Sequence, residues 1–151
     1  MQRNLLVLLS LVAFVCGIVL VIAFIFFSSA PSSSVCYKEN CFEVELSLTA
    51  EQHASGLSNR DNLLASRGML FVFESEGEYP FWMKDMKFPL DIVWISANGT
   101  VVFIQKNALP CDASMCVSIN PGKNAKYVLE LNANKTSEIQ LSVSDKLDIY
   151  R

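Results

Sequence analysis

Histidine is almost missing from this chain: among 151 residues, His53 is the only one. A metal site built from several imidazoles is therefore excluded. His53 also follows a good helix cap at Thr49 and should sit exposed on a short helix, which leaves no histidine placed for a nucleophilic triad. Clusters of basic residues are missing as well. The 12 Lys and Arg are scattered singly, so the electrostatic footprint that phosphate backbones require is lacking and no nucleic-acid partner is expected. Neither a nucleophile elbow nor a glycine-rich phosphate loop occurs. Charge is scarce, at 18% of residues against 52% hydrophobic. That balance excludes a disordered chain, and the length allows about one domain.

What is present is one long apolar run. From Leu5 to Phe27, 21 of 23 residues are apolar, Ser10 and Gly17 being the exceptions. At roughly 1.5 Å per residue such a helix reaches about 34 Å, enough to cross a hydrocarbon core about 30 Å thick. The run exceeds the apolar part of an ordinary signal peptide, although cleavage after Ala30 would satisfy the small-residue rule. An uncleaved transmembrane anchor over 5–27 is the expectation, with Cys16 as a small hydrophobe inside it. Arg3 lies before the span and Lys38 is the first basic residue after it. Residues 1–4 should then stay cytoplasmic, 28–41 form a serine-rich stalk, and 42–151 form an outer domain at the cell membrane. Asn98-Gly99-Thr100 and Asn134-Lys135-Thr136 are glycosylation acceptor patterns usable on that side. Beyond the span stand 11 basic and 15 acidic residues, a net charge of −4.

Four cysteines outside the span form two equally spaced pairs, Cys36 with Cys41 and Cys111 with Cys116. An oxidising compartment favours disulfides over a four-thiolate zinc site or free thiols. Three connectivities are open, two local loops being the simplest. Met83, Met86 and Met115 beside cysteines could bind copper(I), but methionine more often fills core gaps. No metal or cofactor is expected.

The outer domain reads as a succession of short strands. Phe42, Val44, Leu46 and Leu48 alternate with polar residues, the period of a strand with one buried face. Thr49 and Gln52 form a capping box for a short helix that Gly56 can end. Met69 to Phe73 is a continuous apolar run and should be a buried strand, followed by an acidic loop from Glu74 to Tyr79. Ile92–Ile95 and Val101–Ile104 flank an Asn98-Gly99 pair suited to a type I′ hairpin turn. Tyr127–Leu131 and Lys146–Tyr150 supply further strands, and a short helix is expected over 136–141. Six or seven strands with two helices suggest a small, mainly β, partly closed barrel. The long loop from Asn107 to Lys123 is its main irregularity.

Five blocks occur in order: Gly56-Leu57 with Arg60, Gly68 to Phe73, Phe81-Trp82-Met83 followed by Pro89-Leu90-Asp91-Ile92, Pro110-Cys111, and Ala125 to Leu131. Together they resemble the uncharacterised family called domain of unknown function 192, over nearly all of residues 42–150. The resemblance implies a mainly β fold, frequent export or membrane anchoring, and no established activity. Two departures stand out. Asp85-Met86 replaces an Asn-Thr pair usual after the Trp-Met block, and Ser144-Asp145 replaces a Gly-Asp turn.

Chemistry is best sought between Tyr79 and Asp91. Phe81 and Trp82 offer flat apolar surfaces for a glycan or peptide, with Arg60, Lys84, Asp91 and Lys126 as polar ligand-binding candidates. The competing reading, which the general behaviour of apolar runs favours, makes Trp82 and Met83 core and Asp91 and Arg60 a partly buried ion pair. Asp85 and Asp91 could divide acid and base roles in glycoside cleavage. Three functions follow as expectations: a binding or accessory module engaging a glycan, a peptide or an envelope protein; a carboxylate-dependent hydrolase of envelope glycans; or a structural envelope component.

Overall fold

The computed structural model describes residues 33–112 and 115–151. The tail 1–4, the apolar run 5–27, Cys16 and the start of the stalk lie outside the described residues. Among the described residues no helix is long and apolar enough to cross a membrane.

Seven strands form one sheet in the order β5-β4-β6-β3-β2-β1-β7. They are β1 (Ser34–Tyr37), β2 (Asn40–Ser47), β3 (Arg67–Gly77), β4 (Leu90–Ile95), β5 (Val101–Ala108), β6 (Ala125–Asn132) and β7 (Asp148–Tyr150), with two short helices, α1 (Ala50–Ser55) and α2 (Lys135–Glu138). β2 and β3 run parallel; the remaining neighbours are antiparallel. The sheet curls into a half-barrel whose edges are tied at one end. Val101 N donates to the Asp145 carbonyl at 2.8 Å and Leu147 N to the Gly99 carbonyl at 2.9 Å. Gly99 is required there: its φ is +86°, and an added Cβ would lie 2.6 Å from the Leu147 carbonyl oxygen.

Four expectations change. The domain begins at Ser34 rather than at 42, because β1 pairs with both β2 and β7 and buries Val35 and Tyr37. The segment Glu74–Gly77 belongs to β3, which resumes pairing with β6 at Gly77 after a register shift. The β4–β5 hairpin forms, but only Gly99 of the Asn-Gly pair has positive φ. Gly99 N donates to the Ser96 carbonyl, so a tight turn centred on Ala97-Asn98 leads into a left-handed glycine instead of a type I′ turn. α2 is one turn, Lys135–Glu138, and stops short of Leu141.

Both faces of the sheet are covered. One gathers Val35, Val44, Leu70, Val93, Ile95, Leu129 and Leu131 from five strands, with Leu141 and Leu147 closing it. The other gathers Met69, Phe71, Leu90, Ile92, Trp94 and Val128, covered by Leu57, Met83 and the long loops. Side chains as completely buried as Trp94 and Phe71 each contribute about 1.5–3 kcal/mol. The cysteines lie at disulfide distance in local pairs. Cys36 and Cys41 face each other across the β1–β2 hairpin, and Cys111 pairs with Cys116 in the long loop. That loop is stitched to the Tyr79–Asp91 block by bridges from Phe81 to Ile119 and from Lys84 to Cys111.

Candidate functional site

The second face carries an open cavity of about 330 Å³. α1 and the turn after it form one side, through His53, Ala54, Ser55, Gly56, Leu57 and Ser58. The capping box at Thr49 and Gln52 starts this helix as expected, and Gly56, at φ +47°, ends it. The other side is Tyr79, Pro80, Phe81, Trp82 and Met86, with Ser118 from the long loop. Phe71, Phe73 and Glu130 line it from the sheet.

Aromatic packing fixes the walls. Phe81 stands edge-on to Phe71 and Trp94, at centroid separations of 4.8 and 5.6 Å. Phe73 stacks on Tyr79 at 3.5 Å, and Trp94 Nε1 donates to the Tyr79 carbonyl at 2.8 Å, holding this strand-like segment over the sheet. His53 is not exposed as its helix position suggested. It is half-buried against Phe73, 4.6 Å between centroids, and its Nε2 donates to the Ser47 carbonyl at 3.0 Å. Trp82 is the exposed member, with half its surface open at the rim, whereas its neighbour Met83 is core.

Glu130 is the group that sequence reasoning missed. It lies mid-strand on β6, opposite Met69 of β3 and Ile92 of β4, and is 5% exposed. Its Oε2 is buried without a hydrogen-bond partner among the described residues. Burial pushes its carboxyl up to about 8, opposed only in part by the charge of Arg60. A Cβ at position 56 would stand 4.0 Å from this oxygen and 3.3 Å from Phe71, so the bare glycine backbone leaves room in front of the carboxyl. An unpaired, largely dehydrated carboxyl in a cleft marks a functional-site candidate on physical grounds.

The candidates named from sequence divide. Phe81 and Trp82 line the cavity; Arg60, Lys84, Asp85, Asp91 and Lys126 do not. Arg60 does not pair with Asp91. Its Nη1 and Nη2 donate to both oxygens of Glu45, at 2.6 and 2.8 Å, and hold that carboxyl below the usual range. Lys84 Nζ lies over the Trp82 ring at 5.9 Å, and Lys126 Nζ donates to the Glu74 carbonyl at 2.8 Å. Asp85 is exposed with φ +59°, a left-handed position that Asp and Asn tolerate best among side-chain-bearing residues. Its departure from the expected Asn is thus conformationally conservative.

Asp91 is a structural keystone, completely buried. Oδ1 accepts from Asn107 N at 2.8 Å and Asn134 N at 3.1 Å; Oδ2 accepts from Thr136 N at 2.8 Å and Thr136 Oγ1 at 2.6 Å. One carboxylate thereby ties the end of β5 to the start of α2. With both oxygens engaged, it has no capacity left for the acid–base pairing with Asp85. The Thr136 hydroxyl has the same structural reason to be present in the Asn134 acceptor pattern, whose Asn134 is exposed, as is Asn98 on the hairpin turn. No group of three or more metal-ligating side chains occurs among the described residues.

Comparison with known proteins agrees with this architecture. Among solved structures the chain is similar to a proposed transcription regulator from Sinorhizobium meliloti 1021, at 30% identity and a TM-score of 0.70, over 78% of this chain and 91% of that one. It is also similar to a protein of unknown function from Novosphingobium aromaticivorans DSM 12444, at 27% identity and a TM-score of 0.70, over 78% of this chain and 83% of that one. No curated protein matches. The model of an uncharacterised ACR, domain of unknown function 192, matches residues 34–149. The chain therefore belongs to the DUF192 family, which the five sequence blocks resemble.

Proposed function

We propose that this chain is a membrane-tethered binding module whose domain stands outside the cytoplasm and takes a small ligand, or one projecting group of a larger surface partner, into the cavity beneath Trp82. The observation that supports it is an open aromatic cavity with a buried, unpartnered carboxyl in its wall. A volume of about 330 Å³ falls at the lower end of small-molecule sites, enough for one or two rings. Tethering rests on the apolar run 5–27, and orientation on the basic residues flanking it. The regulator description of the Sinorhizobium protein is not carried over, since this chain offers only singly scattered basic residues to phosphates. The hydrolase reading is dropped because Asp91 is fully engaged.

Tryptophan fluorescence tests the site, because only Trp82 and Trp94 are present and only Trp82 is at the rim. A panel of small amphipathic amines, acids, glycosides and aromatic alcohols should include members that shift the emission saturably. Trp82→Ala should keep the fold and lose that binding. If nothing in the panel binds the wild type, the reading is wrong. Protease added to intact cells should degrade the domain; full protection would refute the proposed orientation.

A further inference from the structure

We propose that the cavity takes an organic cation, an amine or quaternary ammonium group that pairs with the Glu130 carboxylate among the aromatic side chains. This rests on the cavity being a ligand site, and it names the ligand's chemistry. Three observations converge on it.

The first is charge accounting. Arg60 is the basic residue nearest in effect to Glu130, yet both its terminal nitrogens are committed to Glu45. Arg60, Glu45 and an ionised Glu130 together carry one uncompensated negative charge. A buried carboxylate needs a partner, and no side chain supplies it: Oε2 stands alone among the described residues.

The second is that four of the other polar side chains of the wall are already committed within the protein, which leaves Ser118 and the rim indole of Trp82. Ser55 Oγ donates to the Glu51 carbonyl, Ser58 Oγ to the Lys84 carbonyl, Tyr79 OH to the Ser75 carbonyl, and the His53 ring is held by Ser47. A sugar, which presents hydroxyls on every side, would lose more hydrogen bonds to water than this wall returns. A metal ion would find one carboxylate where several oxygens are required. A ligand with a single cationic point and an apolar body matches what is left.

The third is the composition of the wall. His53, Phe71, Phe73, Tyr79, Phe81 and Trp82 surround the space, and aromatic faces attract a cation that has shed its water. The titratable and charged groups near Glu130 are His53 on α1, Arg60 after it, Glu45 on β2 and Tyr79 opposite; β3 and β4 contribute Met69, Phe71 and Ile92. Because burial pushes the empty carboxyl up to about 8, capture of a cation at neutral pH should release its proton. Affinity for the cation should therefore climb about 50-fold between pH 6 and pH 8, while affinity for a neutral analogue stays level.

The same charged group can come from a free amine or from a lysine side chain, and two matched pairs of probes separate them. Choline is compared with 3,3-dimethylbutan-1-ol, its uncharged carbon analogue, and Nα-acetyl-lysinamide with Nα-acetyl-norleucinamide. Each is titrated into the full chain in non-ionic detergent at pH 8.5, followed by tryptophan emission and calorimetry. The cationic member of at least one pair should bind ten- to a hundredfold more tightly than its neutral partner. Glu130→Gln, with unchanged emission from buried Trp94, should abolish that preference. If the neutral members bind saturably and as well as the cations, the cation assignment is overturned while the binding site stands. If no probe of either charge binds, and the wider amphipathic panel is also silent, the site itself is refuted.

Discussion

Glu130→Gln should make this domain more stable in alkaline solution, and the size of the effect follows from the burial of one carboxyl. Its folded-state value is raised from 4.5 to about 8, so the native state keeps a proton that the unfolded chain gives up. The unfolded state therefore gains stability as pH rises from about 4.5, and the loss levels off above the folded value near 8. At about 1.36 kcal/mol per pH unit, the full penalty is roughly 5 kcal/mol, of which about 3 kcal/mol accrues between pH 5.5 and 8.5. Burial is close to complete, so solvent screening does little to reduce it. The other perturbed carboxyls do not blur the window. Glu45, Glu51, Asp61 and Asp145 are all held below their usual values and finish titrating at lower pH. Urea unfolding of residues 33–151, followed by tryptophan emission at pH 5.5, 7 and 8.5, reads the effect. The stability gap between Glu130→Gln and wild type should widen by about 3 kcal/mol across that range. Parallel profiles would mean that Glu130 is hydrated or paired in solution and offers no unpartnered carboxyl to a ligand.

Other expectations follow from the same contacts. Asp91→Ala leaves four donors without their acceptor and should cost about 3–5 kcal/mol in urea unfolding; a loss below about 1 kcal/mol would contradict its structural role. Gly99→Ala, forced against the Leu147 carbonyl at positive φ, should lower stability by more than about 2 kcal/mol, and amide exchange at Leu147 should accelerate. Ser144 sits at φ +80°, so Ser144→Val should cost about 1–2 kcal/mol whereas Ser144→Gly should cost nothing measurable.

Strand chemistry was the legible part of the chain. Alternation at Phe42 and Val44, the apolar run from Met69 and the paired runs around Asn98-Gly99 reported strands because period and burial agree there. The capping box at Thr49 did the same for α1. β1 was hidden because Val35 and Tyr37 follow a serine-rich stretch and only four residues pair; nothing local announces a strand whose burial is supplied by β2 and β7. Glu74 to Gly77 looked like a loop because its side chains are largely exposed, although its backbone continues β3.

The site was half legible. Phe81 and Trp82 stood out as an aromatic pair, but which of Trp82 and Met83 faced outward depended on tertiary packing. Asp91 drew attention as an acid next to an apolar strand, and its four backbone and hydroxyl donors come from segments 16 to 45 residues away. Glu130 gave the opposite signal. It stands between Leu129 and Leu131 in a strand buried on both faces, where an alternating pattern would have assigned it to solvent. An acid in the middle of a doubly covered strand is the clue, and it becomes readable only once β6 is known to be central.

The most direct measurement is carbon-13 NMR of the Glu130 carboxyl in the full chain, titrated alone and with a saturating cation. A midpoint near 8 is expected in the empty protein, with a marked fall when choline or the lysine analogue fills the cavity. A carboxyl titrating near 4.5 in both states, indifferent to any probe, would contradict that expectation.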